Sequence, residues 1–194
     1  AACMPEGIAR VRLGSLEPEQ LSVDVIARLA KQDKLCPQFH LSLQSGCNAT
    51  LRRMNRHYTA DEYRTIVQNL RASFANCAIT TDIMVGFPGE TEEEFAESLA
   101  FAKEIGFAKA HVFAYSRRPG TKANDAPDQI TQRVKEERSR RMIAATQQTK
   151  AAFFQAQLGR VETVLFEQEV APHVYDGYTA NYTPVKVSSA KDLR

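Results

Sequence analysis

Four short apolar segments, each followed by a helical pattern of apolar residues, repeat along the first two-thirds of the chain. The predicted strands cover residues 8–13, 39–43, 78–85 and 109–115. Strands that alternate with helices pair in parallel and connect through right-handed crossovers. The repeat therefore predicts an α/β fold, either part of a β/α barrel or an open parallel sheet.

The turn after the third predicted strand is the most informative local motif. Residues 82–91 read Asp-Ile-Met-Val-Gly-Phe-Pro-Gly-Glu-Thr, so that Gly86 and Gly89 bracket a proline. Thr91 and Glu94 predict a capping box that begins a helix, as Thr59 and Glu62 do earlier in the chain. Glycines let backbone amides approach a ligand, and a helix N-terminus favours acceptor groups. The turn fits a nucleotide-like ligand, although Gly-Pro-Gly also leads into helices for folding reasons alone.

Polar residues are concentrated directly after the predicted strands. In both parallel architectures the ligand binds at the carboxyl ends of the strands. We therefore expect one mouth to be lined by Ser15, Glu17, Gln44, Ser45, Asp82, Gly86, Tyr115 and Ser116.

The last part of the chain changes character. A long helix rich in Lys and Arg is predicted from residue 131, with Gly159 as its stop. Residues 161–166 and 184–187 are then β-like, and Asp176-Gly177 between them is a turn signal. This predicts a first domain at 1–158 and a small all-β unit at 159–194. So short a unit buries little core alone, so it either packs on the helix or is truncated.

Net charge and cysteine spacing exclude the simplest site classes. A formal charge of +2 does not by itself imply nucleic-acid binding, so such a function must depend on clusters of basic residues. The cysteines are scattered, with no CxxC pair and no nearby His to complete a metal site. They are Cys3, Cys36, Cys47 and Cys77. Cys47, in a loop past a strand, is the candidate for a chemical role, against the alternative of a buried apolar side chain.

Neither a membrane span nor a signal peptide is visible, which predicts a cytoplasmic location without membrane partners.

The chain begins Ala-Ala-Cys, without an initiator Met, and enters a predicted strand almost at once. These features lead us to expect a fragment.

Five segments, taken together, carry a family resemblance. They read Arg-Leu-Gly-Ser-Leu-Glu-Pro (12–18), His-Leu-Ser-Leu-Gln-Ser-Gly-Cys (40–47), Leu-Arg-Arg-Met-Asn-Arg-His-Tyr-Thr (51–59), Thr-Asp-Ile-Met-Val-Gly-Phe-Pro-Gly-Glu-Thr (81–91) and Val-Phe-Ala-Tyr-Ser-Arg-Arg-Pro-Gly-Thr (112–121). In this order they resemble the radical S-adenosylmethionine (SAM) methylthiotransferases that modify tRNA. The resemblance implies the last four strands of a partial parallel β/α barrel of the radical SAM type. It also implies a truncated all-β, TRAM-like RNA-binding module.

Within that family, residues 13–18 resemble the branch that acts on threonylcarbamoyladenosine beside the tRNA anticodon. Sister branches act on isopentenyladenosine or on a ribosomal protein. The family binds a [4Fe-4S] cluster through a Cys-x-x-x-Cys-x-x-Cys loop, and this spacing is absent from the sequence. The resemblance therefore implies SAM and two [4Fe-4S] clusters in a longer parent, with none bound by this segment. The segment alone is expected to be inactive and to hold no catalytic residue.

The resemblance also assigns cofactor-binding residues. Gln44 and Ser45 match the position that bonds the SAM ribose, and the turn from Asp82 through Gly86 matches the segment along the adenine. The main chain up to Tyr115 would contact the adenine edge. For the two residues after the strand, the alternative is a turn that satisfies its own backbone.

Arg56 could pair with the methionyl carboxylate of SAM, because a guanidinium matches a carboxylate in a dry site, although a solvated arginine is the alternative.

For the substrate, Glu17 beside Ser15 could recognise the modified base, whereas its alternative is to stabilise the helix that begins at Pro18. Arg117 and Arg118 are candidates to neutralise phosphates of the tRNA anticodon loop, together with basic clusters at 52–57 and 133–141. Because the second cluster also contains Glu136 and Glu137, its alternative is a solvated helix with mixed charge pairs. Tyr178 and Tyr182 either stack on unpaired bases or pack inside the β unit. The competing function is a cluster-free RNA-binding scaffold.

Overall fold

The computed structural model describes residues 7–194 and contains a parallel and an antiparallel sheet. The parallel sheet has the order β1-β2-β3-β4, and each neighbouring pair is parallel. Its strands are β1 (Ser15–Leu16), β2 (Gln38–Leu41), β3 (Ala78–Val85) and β4 (Lys109–Ala114). This topology confirms the predicted α/β fold.

Helices follow the strands where apolar stripes and caps predict them. Thr59 and Glu62, and likewise Thr91 and Glu94, form complete capping boxes, and Gly106 in the left-handed conformation ends its helix. The helices are α1 (Val23–Leu29), α2 (Asn48–Arg53), α3 (Ala60–Ser73), α4 (Glu92–Ile105), α5 (Lys122–Asp125) and α6 (Gln132–Gln155), with a 3₁₀ turn at Pro18–Gln20. None of those within residues 7–194 is long and apolar enough to cross a membrane.

One face of the parallel sheet forms the core with the helices. Alternate residues of β3 divide between the two faces, so that Ile79, Ile83 and Val85 are fully buried while Asp82 and Met84 lie on the less covered face. The core partners on the helices are Tyr63, Val67, Leu70, Phe95 and Ala102. Helices therefore cover the apolar face, and the opposite face carries the polar side chains.

The first strand is shorter and later than the predicted residues 8–13. In that segment only Val11 makes a β-bridge, an isolated parallel one to Leu35, which precedes β2. The guanidinium of Arg10 instead donates to the carbonyls of Tyr178 and Thr163 in the antiparallel part of the chain. Regular pairing begins at Ser15 because the earlier residues are used to join the two sheets.

The antiparallel sheet has the order β5-β6-β7, with β5 (Val164–Ala171), β6 (Val174–Thr179) and β7 (Pro184–Ser188). The prediction of a turn at Asp176-Gly177 is wrong, since both residues lie inside β6. A Cβ on Gly177 would lie 2.1 Å from the carbonyl oxygen of Leu165. The glycine therefore permits close approach of a neighbouring strand rather than a turn.

The antiparallel sheet packs against the amino-terminal ends of the parallel strands. Asn181 donates to the carbonyl of Asn76, which precedes β3, and to the side chain of Gln157 after α6. Helix α6 runs between the carboxyl and the amino ends of the parallel strands. Lys135, near the start of the helix, contacts the residue after β4, and Gln157, after its end, contacts Asn181. The all-β unit thus lies at the end opposite to the predicted mouth.

Candidate functional site

The loop after β2 is bonded to β3 at the carboxyl end of the sheet. Gln44 donates its N–H to the carbonyl of Asp82, and its own carbonyl accepts from Met84, each at 2.9 Å. Gln44 adopts a left-handed φ of 63°. The hydroxyl of Tyr58 donates to the carbonyls of Ser42 and Leu43, which precede Gln44. These bonds bring Gln44 and Asp82 together, as the strand-end pattern predicts.

Ser45 is fully buried, and its hydroxyl accepts a hydrogen bond from the N–H of Cys47 at 3.2 Å. The N–H of Gly46, between these two residues, donates to the hydroxyl of Ser98 on α4. This geometry favours the alternative in which Ser45 satisfies its own turn. Its proposed bond to a ribose stays a prediction.

A row of polar side chains crosses the uncovered face of the parallel sheet. Thr80 accepts a hydrogen bond from Gln38 and bonds Nδ1 of His40, both at 3.1 Å. Nε2 of His40 lies 3.3 Å from Oδ2 of Asp82. With the proton on Nε2, every contact in the row pairs a donor with an acceptor. The row fixes the Asp82 carboxylate at the mouth.

The turn after β3 is closed by a buried carboxylate. Gly86, at a φ of +70°, donates its N–H to Oε2 of Glu90 at 2.7 Å. The same oxygen accepts from Arg138 of α6 at 2.8 Å. Burial raises the pKa of Glu90, while the hydrogen bonds from Gly86 and Arg138 act in the opposite direction. The amide of Gly86 is therefore already occupied by protein.

The residue after β4 is held on both sides of its backbone. Tyr115 donates its N–H to the carbonyl of Val85, and its own carbonyl accepts from Nζ of Lys135, each at 2.9 Å. Its ring packs edge-on against Phe87 with centroids 5.3 Å apart. Its hydroxyl is buried and has no hydrogen-bond partner among residues 7–194. Tyr115 thus joins Gly86 at the mouth and retains one unused polar atom.

Other predicted site residues occupy the edges of the sheet. Arg117 donates to the carbonyl of Asn124 at 2.6 Å, and the carbonyl of Arg118 accepts from Thr121. Both arginines are exposed beyond β4, whereas Ser15 is exposed in β1. Since β1 and β4 are the outer strands, roughly 14 Å separates these edges. The structure does not bring Ser15 together with the two arginines.

Arg56 and Glu17, predicted to bind different ligands, contact one another. Nη1 of Arg56 lies 2.9 Å from Oε2 of Glu17. Arg56 follows α2, and Glu17 directly follows β1. The pair therefore connects the loop after β1 to the segment between α2 and α3.

The described cysteines do not form a metal site. Cys36, Cys47 and Cys77 form no disulfide within residues 7–194, and burial raises the pKa of each thiol. Across residues 7–194, no three His, Cys, Asp or Glu side chains are grouped so as to hold a metal ion. Cys3 lies outside the described residues. These residues do not fit an iron–sulfur cluster, and Cys47 is a buried side chain at the start of α2.

The two tyrosines of the all-β unit stack on each other. The rings of Tyr178 and Tyr182 are 4.2 Å apart and nearly parallel, and Arg12 covers the Tyr182 ring at 3.8 Å. A cavity of about 180 Å³ adjoins this stack. In this arrangement the tyrosines stack on protein groups at the junction of the two sheets.

Sequence comparison relates the chain to known proteins. Residues 9–102 match the Radical SAM superfamily. A tRNA-2-methylthio-N(6)-dimethylallyladenosine synthase of Acidothermus cellulolyticus is 46% identical over 160 residues, 82% of this chain and 32% of that protein. A threonylcarbamoyladenosine tRNA methylthiotransferase of Bacillus subtilis is 37% identical over 192 residues, 97% of this chain and 43% of that protein. The chain is a homologue of the tRNA methylthiotransferases. It spans less than half the length of each of these relatives.

Solved structures agree with this family in fold. The methylthiotransferase homologue resembles coproporphyrinogen III oxidase of Escherichia coli, a radical SAM enzyme, with a TM-score of 0.61 at 16% identity. That match covers 88% of this chain and 46% of the oxidase. Elp3 of Methanocaldococcus infernus gives a TM-score of 0.53 at 12% identity, over 87% and 52% of the two chains. The predicted radical SAM type of α/β fold is confirmed.

Three residues of the homologue's mouth were missed as individual candidates. His40 belongs to one of the family segments but is not predicted as a site residue. Its position between the buried Phe39 and Leu41 indicates that its side chain lies on the less covered face of the sheet. Lys135 and Arg138 were assigned to a basic cluster that either binds phosphate or is solvated, yet both are buried. No pattern in a helix rich in Lys and Arg distinguishes these two from their exposed neighbours.

Proposed function

We propose that this chain is part of a tRNA methylthiotransferase that adds a methylthio group to the adenine of threonylcarbamoyladenosine near the anticodon. The observation that carries the proposal is the alignment with the Bacillus subtilis enzyme over 97% of the chain, including the antiparallel sheet. The partner would be the tRNA anticodon loop, and the location cytoplasmic. The chain alone would be inactive.

SAM, when bound, would supply both the hydrogen-abstracting radical and the methyl group. The residues that would hold it are Gln44, Asp82 and Tyr115. The Asp82 carboxylate is partly exposed beside His40, and the buried Tyr115 hydroxyl has no partner in the described part of the chain. Gly86 would contribute through the shape of its turn, because its amide already binds Glu90. Arg56 could reach a ligand carboxylate after leaving Glu17.

The substrate side of the proposal rests on charge at the mouth. Glu17 is partly exposed and could accept hydrogen bonds from the modified base, beside Ser15. The exposed Arg117 and Arg118 could each neutralise a phosphate, which makes the affinity for tRNA depend on salt. No suitable group of metal-ligating side chains lies within residues 7–194, so an iron–sulfur cluster of the full-length enzyme would be held by residues outside this range.

A second substrate is also supported by a specific observation. The Acidothermus cellulolyticus relative, named for dimethylallyladenosine, has the higher identity of 46%, although over 82% of the chain. The two substrates carry side chains of different polarity, one with a carboxylate and the other apolar.

Mass spectrometry of tRNA nucleosides would test the proposal. The full-length product of the gene that encodes this chain would be expressed in a bacterial strain without methylthiotransferases of its own. We expect the methylthio form of threonylcarbamoyladenosine, and none when the 194-residue chain is expressed alone. The methylthio form of isopentenyladenosine would instead establish the second substrate.

The absence of both products, together with no iron in the anaerobically reconstituted protein, would overturn the proposal in favour of an RNA-binding scaffold. Iron and labile sulfide would be measured on the same preparation. An iron-containing protein without either nucleoside product would exclude both proposed tRNA substrates.

A further inference from the structure

Two basic side chains of α6 are directed inward at the carboxyl end of the parallel sheet. Lys135 and Arg138 retain 8% and 5% of their exposure, whereas Arg141, one turn later, is only partly buried and pairs with Glu92. Lysine and arginine are seldom buried this far unless their charges are satisfied. Their targets are the two loops that follow β3 and β4.

Lys135 contacts both loops with different parts of its side chain. Nζ donates to the carbonyl of Tyr115 at 2.9 Å, in a buried contact. The aliphatic stem fills the space that a side chain on residue 86 would need, since a Cβ on Gly86 would lie 2.5 Å from Cγ of Lys135. The protein itself therefore requires glycine at position 86, independently of any ligand.

Arg138 completes the connection through Glu90. It donates to the Glu90 carbonyl at 2.9 Å and to the Glu90 carboxylate at 2.8 Å. The carboxylate in turn accepts the N–H of Gly86. Through Lys135 and Arg138, one rigid helix therefore determines where Gly86 and Tyr115 lie relative to each other.

A buried ammonium is a costly way to fill the space beside a glycine. Methionine would pack there with a similar stem and no desolvation penalty. What the charge adds is a hydrogen bond that orients the Tyr115 carbonyl at the mouth. We propose that Lys135 is a positioning residue for SAM, which holds the strand-end backbone at Gly86 and Tyr115 in its binding geometry. This inference rests on the proposed function.

Lys135→Met would test the inference in the anaerobically reconstituted full-length gene product. The variant keeps the stem over Gly86 and loses the bond to Tyr115. We expect the dissociation constant for SAM, measured by equilibrium dialysis, to rise about tenfold, because a charged hydrogen bond is lost. Lys135→Arg should recover part of the affinity, and Arg141→Met, on the same helix, should change nothing. Thermal unfolding of each variant reports the structural effect separately.

A wild-type protein that binds SAM and a Lys135→Met variant that binds it equally well would overturn the inference alone. Equal losses of affinity in Lys135→Met and Lys135→Arg, each matched by a large fall in Tm, would also overturn it, since they would indicate folding only. A wild-type protein that binds no SAM would instead overturn the proposed function.

The role of the Lys135 stem can be measured without SAM. Gly86→Ala should lower the Tm of the 194-residue chain, and adding Lys135→Ala should restore part of the loss because the clashing Cγ is removed. Absence of any restoration would contradict the packing of Lys135 against Gly86.

Discussion

Arg56 and Glu17 form an ion pair with 2.9 Å between Nη1 and Oε2. While the pair is closed, neither charge is available to a ligand. Their side chains are 30% and 44% exposed. A pair with this exposure contributes about 1 kcal/mol of stability or less. It is therefore weak enough to open when a ligand carboxylate reaches Arg56.

Glu17→Gln should raise the affinity of the full-length gene product for SAM by up to about fivefold, because Arg56 loses a competing carboxylate. Arg56→Met should have the opposite effect. Isothermal titration under anaerobic conditions would measure both. If Glu17→Gln weakened SAM binding as much as Arg56→Met, the pair would be a structural support of the mouth, and Arg56 would not be a ligand for SAM.

The Arg53–Glu94 ion pair should make stability depend on acid pH. Burial alone would raise the pKa of Glu94, but hydrogen bonds from Arg53, the Thr91 amide and Thr50 lower it below its ordinary value of 4.5. A lowered pKa in the folded state stabilises the protein above the unfolded value and loses this contribution as the pH falls through the folded one.

Glu94→Gln should therefore lower the free energy of urea unfolding by about 1 kcal/mol at pH 7, with a shrinking difference from the wild type below pH 4.5. Glu136→Gln, at an exposed position of α6, is the matched control. A difference that stays constant from pH 7 to pH 3 would show that Glu94 acts through its shape alone.

Three cysteines should be protected from alkylation in the native chain. Burial raises the pKa of Cys77 to about 12, and it also raises the pKa of Cys36 and Cys47. Because the thiolate is the reactive form, we expect slow reaction with iodoacetamide at pH 8 and rapid reaction in urea. Peptide mass spectrometry would follow each site. Rapid native labelling of Cys47 would revive its candidacy for a chemical role.

Local sequence patterns predicted those helices and strands whose structure is determined by residues close in sequence. The strand at 78–85 matches β3, and the capping boxes at Thr59 and Thr91 begin α3 and α4 as expected. The period of apolar residues and the cap chemistry are both short-range, so a single sequence contains them.

Features that depend on distant contacts were not predictable in this way. Gly177 is required because the backbone of Leu165 approaches it closely across the β5–β6 pair. In a sequence, however, Asp-Gly is usually interpreted as a turn signal. The predicted first strand is displaced because Arg10 bonds residues more than 150 positions away. The burial of Lys135 likewise follows from where α6 crosses the mouth. The strand-end pattern located the mouth, but only the structure shows which of its groups already bind each other.

Asn181 should control how firmly the antiparallel sheet packs on the parallel one. It is 4% exposed, and its amide donates to the Asn76 carbonyl and to Gln157, each at 3.1 Å. Its Oδ1 accepts from the hydroxyls of Thr179 and Thr183. Truncation would leave several buried groups unpaired, at a cost of about 2–3 kcal/mol.

Asn181→Ala should therefore increase hydrogen exchange of the β6 amides well above the wild-type rate while the β3 amides remain protected. Lys186→Ala, on an exposed position of β7, is the control in the same sheet. Local opening would identify the junction as a boundary between two cooperative units. Equal loss of protection in β3 and β6 would instead show that the two sheets unfold as one, and that Asn181 stabilises the whole chain.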